Sequence, residues 1–558
     1  MDAALEILDR SPGTDRFVFI HIIDPHWQYL PPEGFIDRFG PKPQDVELLL
    51  DRVIKRQPPS GPEEIEAGFE TLWPRYLGEL EARLGAQLFR RTTRRLNMTD
   101  TAATFYDRCV RILADGQTLW AAVVGFGAFL LFLIMPVFAL YAEHLAGVTP
   151  LLVGLAIGIY GLTQALLQIP FGMLSDRIGR KPVIVGGLIL FAIGSVVAAM
   201  SESITGVIIG RALQGSGAIA AAVMALVADS TRESSRTKAM ALIGISIGMA
   251  FMIALVAGPI LYKSISVPGM FWLTAALAVA GILVVLFVVP TPEHSAIHRD
   301  AEVVSGQVSR VLANVDLLRL DLGIFVLHLI MTALFLAYPL LLRDMGGIAS
   351  EDHWTIYLPV LVLSIMLMLP FIIIAEKRGK IKQVFLLAII ALSLGLFGMG
   401  EFASGKWGLV GWLLLFFTAF NLLEASLPSL ISKIAPADAK GTAMGVYSTS
   451  QFAGAFFGGA AGGWIHQQFG AQAVLLFGAG MAVLWLLFAA GMRAPEPLKP
   501  RLVNIRNMPG SSSEISELFH RIAGVREVVI APDEGVAYLK VDSKKLDEEA
   551  LEAMEASA

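Results

Sequence analysis

Residues 172–182 read GMLSDRIGRKP, and an apolar run of about twenty residues lies on each side of them, long enough to cross a hydrocarbon core as a helix. Asp176, Arg177, Arg180 and Lys181 would each cost about 3 kcal/mol or more at mid-bilayer. The string therefore reads as a tight, water-facing turn between two spanning helices, with Gly172 and Gly179 permitting the close packing and unusual backbone angles that such a turn needs.

The rest of the chain agrees with a membrane setting. Of its 558 residues 55% are hydrophobic and 16% charged, far too apolar a balance for a soluble chain of this length. The apolar excess lies between about Thr118 and Ala494, and both ends have ordinary soluble composition. A net charge of −5 points to neither nucleic acid nor an acidic substrate. The lone Cys109 excludes an internal disulfide framework or a paired-cysteine metal site. No basic-then-apolar leader is visible at the start, so insertion is expected to rely on the first span rather than on a cleaved signal.

Hydropathy places spans at 118–141, 150–174, 182–200, 204–228, 238–262, 268–290, 319–342, 354–375, 383–402, 406–432, 441–467 and 471–493, twelve helices in all. Arg177, Arg180, Lys181, Arg232, Arg236, Lys238, Arg299, Arg310, Arg319, Lys377, Arg378, Lys380, Lys382, Lys433 and Lys440 fall in even-numbered connections, against Lys263, Arg343 and Lys406 in odd ones. Positive charge stays inside, so the even connections and both termini are expected to be cytoplasmic. A longer polar connection, 291–318, divides the spans six and six. An echo of the first loop follows span eight in AEKRGKIK, where Glu376 takes the place of Asp176 and Gly379 that of Gly179. Repeated halves with a site between them are a common transporter plan.

Several polar residues interrupt the apolar spans. Arg211 in span four, followed by Gln214, Gly215 and Gly217, needs a partner or a cavity, unless it snorkels to an interface. Glu424 in span ten, one turn from Asn421, reads as a proton carrier, a contact for a cationic substrate, or a hydrogen-bonded packing carboxyl. Tyr160, Gln164 and Gln168 lie one turn apart on span two, a polar stripe that faces a cavity or bonds helix to helix. Asp229 ends span four near the first loop, where it either joins Arg177 in an ion pair or caps a solvated helix end. Gly258-Pro259 in span five removes one backbone donor and permits close packing. Span eleven, with GTAMGVYSTSQFAGAFFGGAAGGW, is rich in small residues that let helices approach closely. His328 reads as a packing histidine.

The first loop matches G-x-L-x-D-R-x-G-R-K at every specified position and so resembles the loop between helices two and three of major facilitator transporters. GRALQG resembles that family's R-x-x-Q-G fourth-helix motif, and the Gly-Pro pair its fifth-helix motif. From about Ala139 to Pro495 the chain is similar to the YajR-type branch of bacterial inner-membrane members. The resemblance implies an all-α membrane protein with two six-helix halves, proton coupling at Arg211, and a latch of Asp176, Arg177, Arg180, Asp229 and Glu376. In that reading Asp176 faces the start of span eleven near Gly441, where exposed amides favour an anion, and locks the outward-open state. Span one carries no charge in VVGFGAFLLFLIMPVF, a departure from the branch. Residues 500–558 read strand, helix, strand, strand, helix, similar to a small ferredoxin-like domain lacking its last strand. NMPGSSSE stands where the related heavy-metal domains keep Cys-x-x-Cys, which excludes thiolate copper binding there.

The first 115 residues resemble something else. Residues 1–74 include RFVFIHIIDPHWQYLPPEGFIDRFG, similar to a strand and loop of sulfatase-like hydrolases, but His21, Asp24 and His26 do not complete a metal site. Residues 75–115 resemble the end of a LysR-type DNA-binding domain, with Arg90, Arg91, Arg94 and Arg95 as a basic patch and Ala102 in place of a Gly. Most of a recognition helix is missing, so specific nucleic-acid binding is not expected.

The expectation is a proton-coupled secondary transporter in a bacterial inner membrane, monomeric, exporting small molecules by alternating access between two halves. It needs the lipid bilayer and protons but no enzymatic chemistry, metal or cofactor beyond the proton gradient. The alternative in a different class is a membrane-anchored ligand sensor acting through its cytoplasmic segments.

Overall fold

The computed structural model describes residues 89–92, 95–98, 129, 132–229, 233–287, 289, 305–436, 439–492, 498–505, 508, 510–531, 535–542, 545–548, 550, 551 and 554. The chain divides into two compact units, Met1–Thr118 and Leu119–Ala558. In the first, β1 (Phe89–Thr92) and β2 (Arg95–Met98) form an antiparallel hairpin. The sulfatase-like segment, the rest of the LysR-like segment, most of span one and the connection from 290 to 304 lie outside the described residues.

The second unit is helical because its sequence gives clear start and stop signals around apolar runs. A short helix, α1 (Phe138–Ala142), precedes α2 (Pro150–Ile178). Thr149 caps α2 by accepting from the Leu152 amide at 3.3 Å, with Pro150 in the first turn, where its missing N–H is no loss. Gly179, at φ 96°, ends α2 and starts α3 (Arg180–Met200), and a side chain there would be strained. Span four is broken. It comprises α4 (Ile204–Ser216) and α5 (Ala220–Asp229), parted where Gly217 packs on the Gly187 backbone.

Spans five and six also depart from expectation, since α6 (Glu233–Phe287) runs through both. Ser266, at φ 56°, is non-helical inside it, and Pro268 follows. A proline opening a helix needs no donor, so the expected connection shrinks to one kinked residue between two helices. Within the expected linker α7 (Ser305–Leu312) forms. Next, α8 (Val315–Asp344) starts before the predicted Arg319, because Asn314 caps it, accepting from the Asp316 and Leu317 amides at 3.0 and 3.2 Å. Helices α9 (Trp354–Lys377), α10 (Ile381–Glu401), α11 (Gly405–Ile434), α12 (Lys440–Phe469) and α13 (Ala471–Ala490) complete the bundle. Among the described residues, nine helical segments are long and apolar enough to span a membrane.

Burial sorts these helices by role. Helix α8 is almost wholly enclosed, whereas α9 exposes most of its surface. Outward residues include Leu166, Ile193, Ile253, Met366 and Leu487, an apolar coat suited to lipid. Helix α12 fits between α2 and α8 as a glycine ribbon. A Cβ on Gly454 or Gly458 would strike the Phe325 or Leu329 backbone of α8, and one on Gly463 would meet Pro150 O of α2 at 2.7 Å. Small residues allow that approach where lipid provides no hydrophobic drive. On α13, Trp485 packs edge-on to Phe385 at 5.8 Å and against Gly323 of α8.

Past the bundle, β3 (Leu498–Asn504), α14 (Ser512–His520), β4 (Val525–Ala531) and β5 (Val536–Asp542) form a small α+β unit. The strands are antiparallel in the order β3-β5-β4 and α14 packs on them through Ile515 and Phe519. Ser511 and Glu514 form a reciprocal capping box at the start of α14. Their hydrogen bonds hold the Glu514 carboxyl below its usual range.

Candidate functional site

The charged turn that begins at α2 folds into an ion cluster. Arg180 donates to Asp176, to Ser175 Oγ at 2.9 Å and, through Nε, to Asp229 Oδ2 at 3.0 Å. Its side chain and that of Asp229 are 3% and 0% exposed. The partner of Asp229 is thus Arg180, not the predicted Arg177, which is exposed. The reason is position: Arg180 opens α3 and points back under α2, whereas Arg177 sits on the outer side of the last turn of α2. Lys181 binds Val289 O at 2.5 Å and ties α3 to the stretch after α6. Gly172 faces the Ala221 side chain of α5. At the echo, Gly379 has φ 64° but Glu376 is exposed.

Removing one member of a buried pair strands the other charge, at a cost of about 3–5 kcal/mol. Arg180→Ala is therefore expected to lower the melting temperature of the purified protein by several degrees, with Arg177→Ala near wild type; equal effects would contradict the assignment.

Arg211 lies deeper, on α4, and is 5% exposed. Its Nη1 donates to Gln214 Oε1 at 3.0 Å, and Nε and Nη2 reach the Ala156 and Ile157 carbonyls of α2 at 3.4 and 3.5 Å. The guanidinium stands over the Tyr160 ring at 5.1 Å, a cation–π contact. Gln214 passes the network on to Ser195 Oγ of α3 at 2.7 Å. Glycines make this possible: a Cβ on Gly194 or Gly210 would meet the facing backbone at 2.5–2.6 Å. Arg211 is held inside the bundle and does not snorkel. Among the described residues no carboxylate pairs with it; carbonyl dipoles, Gln214 and Tyr160 hold the charge.

Gln164 and Gln168 continue the Tyr160 stripe and are both buried, 4% and 5% exposed. Tyr160 also meets Phe452 of α12 edge-on at 6.4 Å. In the other half, Asn421 donates to Ser364 Oγ of α9 at 2.9 Å, and Oε2 of Glu424 is buried without a hydrogen-bond partner among the described residues. Gly258 packs on Leu133 O and Pro136, where a Cβ would come within 2.6 and 2.7 Å, and Pro259 is buried beside it.

Sequence reasoning passed over two features. Asp321, 5% exposed on α8, begins an apolar run and so reads as a helix end. Arg343 and Glu143, which form a bidentate pair at 2.6 and 3.0 Å, lie 200 residues apart, so only the fold brings them together. That pair joins the end of α1 to the end of α8, at the opposite end of the bundle from Asp176. There Leu151 N also donates to Gln467 Oε1 at 3.3 Å, beside the α2–α12 glycine seam.

The Major Facilitator Superfamily sequence profile matches residues 120–317 and 320–529. The chain is 48% identical over 414 residues to the inner membrane transport protein YajR of Escherichia coli, covering 74% of this chain and 91% of that protein. It is 26% identical over 373 residues to the multidrug resistance protein MdtH of Aeromonas salmonicida, covering 65% and 92%. Among solved structures, the human organic anion transporter MFSD10 superposes with a TM-score of 0.51 at 20% identity, covering 67% of this chain and 99% of that one, a likeness of fold alone.

Proposed function

Because the chain belongs to the Major Facilitator Superfamily and is a membrane transporter rather than an enzyme, we propose that it is a proton-coupled exporter of small molecules in a bacterial inner membrane. The observation that carries coupling is Arg211, a buried cation with no carboxylate partner among the described residues, set over Tyr160 on the face of α2 that also meets α12. Intramembrane charges of this kind mark ion and substrate paths. Similarity to YajR and to a protein named for multidrug resistance supports the inner membrane and export. The protein works as a monomer, with protons as the coupling ion and no other cofactor.

Twelve spans follow if α6 counts as two helices about Ser266, α12 as one, and the segment from 118 through α1 as the first. Both termini then face the cytoplasm. The β3-α14-β4-β5 unit, with its middle strand last in sequence, is a ferredoxin-like domain without its final strand. The Asp176–Arg180–Asp229 cluster is the cytoplasmic latch, and Glu143–Arg343 with the glycine seam closes the periplasmic end. Rocking of the two halves would part the outer pair and the seam and bring the Asp176 cluster, which lies wholly within the first half, against the start of α12 at the inner end.

Everted vesicles made acidic inside test the reading directly. Protons leaving should drive a panel of amphiphilic small molecules inward; accumulation of none of them, or accumulation indifferent to the pH gradient, overturns it. The outer closure has its own test. Glu143 and Arg343 are 44% and 35% exposed, so their pair contributes about 1 kcal/mol or less. Glu143→Arg is expected to raise labelling of an outer-end cysteine a few-fold, and the exchanged pair Glu143→Arg/Arg343→Glu to restore it.

A further inference from the structure

The connection between the two halves carries a helix that is packed rather than tethered. Helix α7 has eight residues, too few to hold together in water alone, so its form rests on what it touches. Val311 lies in the same buried core as Ala439 and Ala443 at the start of α12, and Val308 packs against that core. Thr442, wholly buried, donates its hydroxyl to Gln307 Oε1 at 3.2 Å. Gln307, Val308 and Val311 share one face of α7, while Ser309 and Arg310 are exposed, the division expected of a helix laid on a surface.

That surface is the one on which the inner end would close. Gly441, Thr442 and Ala443, in the first turn of α12, are all buried, although the Asp176 cluster is not bonded to them. Asp176 pairs with Arg180 inside the first half, and no ion pair or hydrogen bond among the described residues takes it to α12. The outer end is meanwhile shut by Glu143–Arg343 and by the glycines of α2 and α12. With the outer end closed, α7 therefore lies on the start of α12 and the latch stands apart from it.

Resting on the alternating-access reading above, we propose that α7 is a brake on closure of the inner end, holding the first turn of α12 until the Asp176 cluster displaces it. While α7 covers that turn the protein stays open inward; when α7 withdraws, the amide groups at the helix start are free to receive the anion. The contact consists of two valines and one side-chain hydrogen bond, small enough to release in each cycle and large enough to bias which end is open. One short helix and one carboxylate thus compete for one helix start.

The test uses the full-length chain with Cys109→Ser as background, reconstituted in liposomes. Val311→Asp is expected to loosen α7 and raise labelling of an outer-end cysteine about threefold or more. Should that variant fail to fold, Thr442→Val, which keeps the shape and removes the hydrogen bond, takes its place with a smaller rise. In a second arm, Gln307→Cys/Thr442→Cys is joined by a short, reducible bis-methanethiosulfonate. The joined protein is expected to lose transport by about tenfold or more, and reduction to restore it. Labelling unchanged in the folded variant, failure of the cysteine pair to join, or full transport by the joined protein overturns the proposal. Coupled flux in wild type with no response to either change would refute the brake and leave the exporter reading standing; the expected labelling response in a protein that couples no substrate to protons would do the reverse.

Discussion

Arg211→Ala is expected to reduce coupled transport by about 100-fold, equivalent to roughly 2.7 kcal/mol of transition-state stabilisation. The guanidinium is bonded to Gln214 Oε1 and to two α2 carbonyls while covering Tyr160. Truncation leaves these acceptors facing a void, and each lost bond to a charged donor is worth about 1.5–3 kcal/mol. Some loss of stability therefore accompanies the loss of function. Arg211→Lys separates the two effects. It keeps the charge but has three donors on a flexible stem and no planar fork to span α2 and Gln214. The lysine variant should fold and remain at least about tenfold slower; full recovery would show that charge alone suffices. Flux and melting temperature, measured on one preparation, distinguish these outcomes.

Gly154→Leu is expected to be nearly as damaging for a different reason. A Cβ on Gly154 would approach Gly463 Cα to 2.9 Å and the Gly459 carbonyl carbon to 3.0 Å, contacts with backbone that has no rotamer to yield. Overpacking a tight interface costs about 1–3 kcal/mol, and in the proposed mechanism this interface joins two halves that part and meet in each cycle. The variant should fold, since packing within each half is untouched, but it should hold the outer end open. Labelling of an outer-end cysteine should rise about tenfold and transport fall by about as much. Unchanged labelling would show that this seam is not a moving contact. Gly480, whose Cβ would meet nothing within 4 Å, is the matching control.

Much of the fold was legible because lipid leaves a chain few options. Helix-length apolar runs, basic residues concentrated in alternate connections and the GMLSDRIGRKP turn are local signals, and the helices follow them. Boundaries failed where a local device outweighed hydropathy: Asn314 capping α8 early, Gly217 breaking span four, and Ser266 with Pro268 compressing the connection inside α6. The site was legible to the extent that a charge within an apolar run announces itself, as Arg211 and Glu424 do. Asp321 did not, because an acid at the start of a run looks like a solvated end, and only the packing of α8 at the centre of its half buries it. Pairings were the least legible. Nothing in the sequence distinguishes Arg177 from Arg180 as the partner of Asp229, or joins Glu143 to Arg343.

Simultaneous recording of substrate and proton movement tests the coupling claim most directly. In proteoliposomes holding a pH-sensitive dye and preloaded with a transported compound, efflux of that compound through wild-type protein should draw protons in the opposite direction, at a fixed ratio, with both movements nearly absent in Arg211→Ala. Substrate movement unaccompanied by protons, or an unchanged proton signal in Arg211→Ala, would contradict the account.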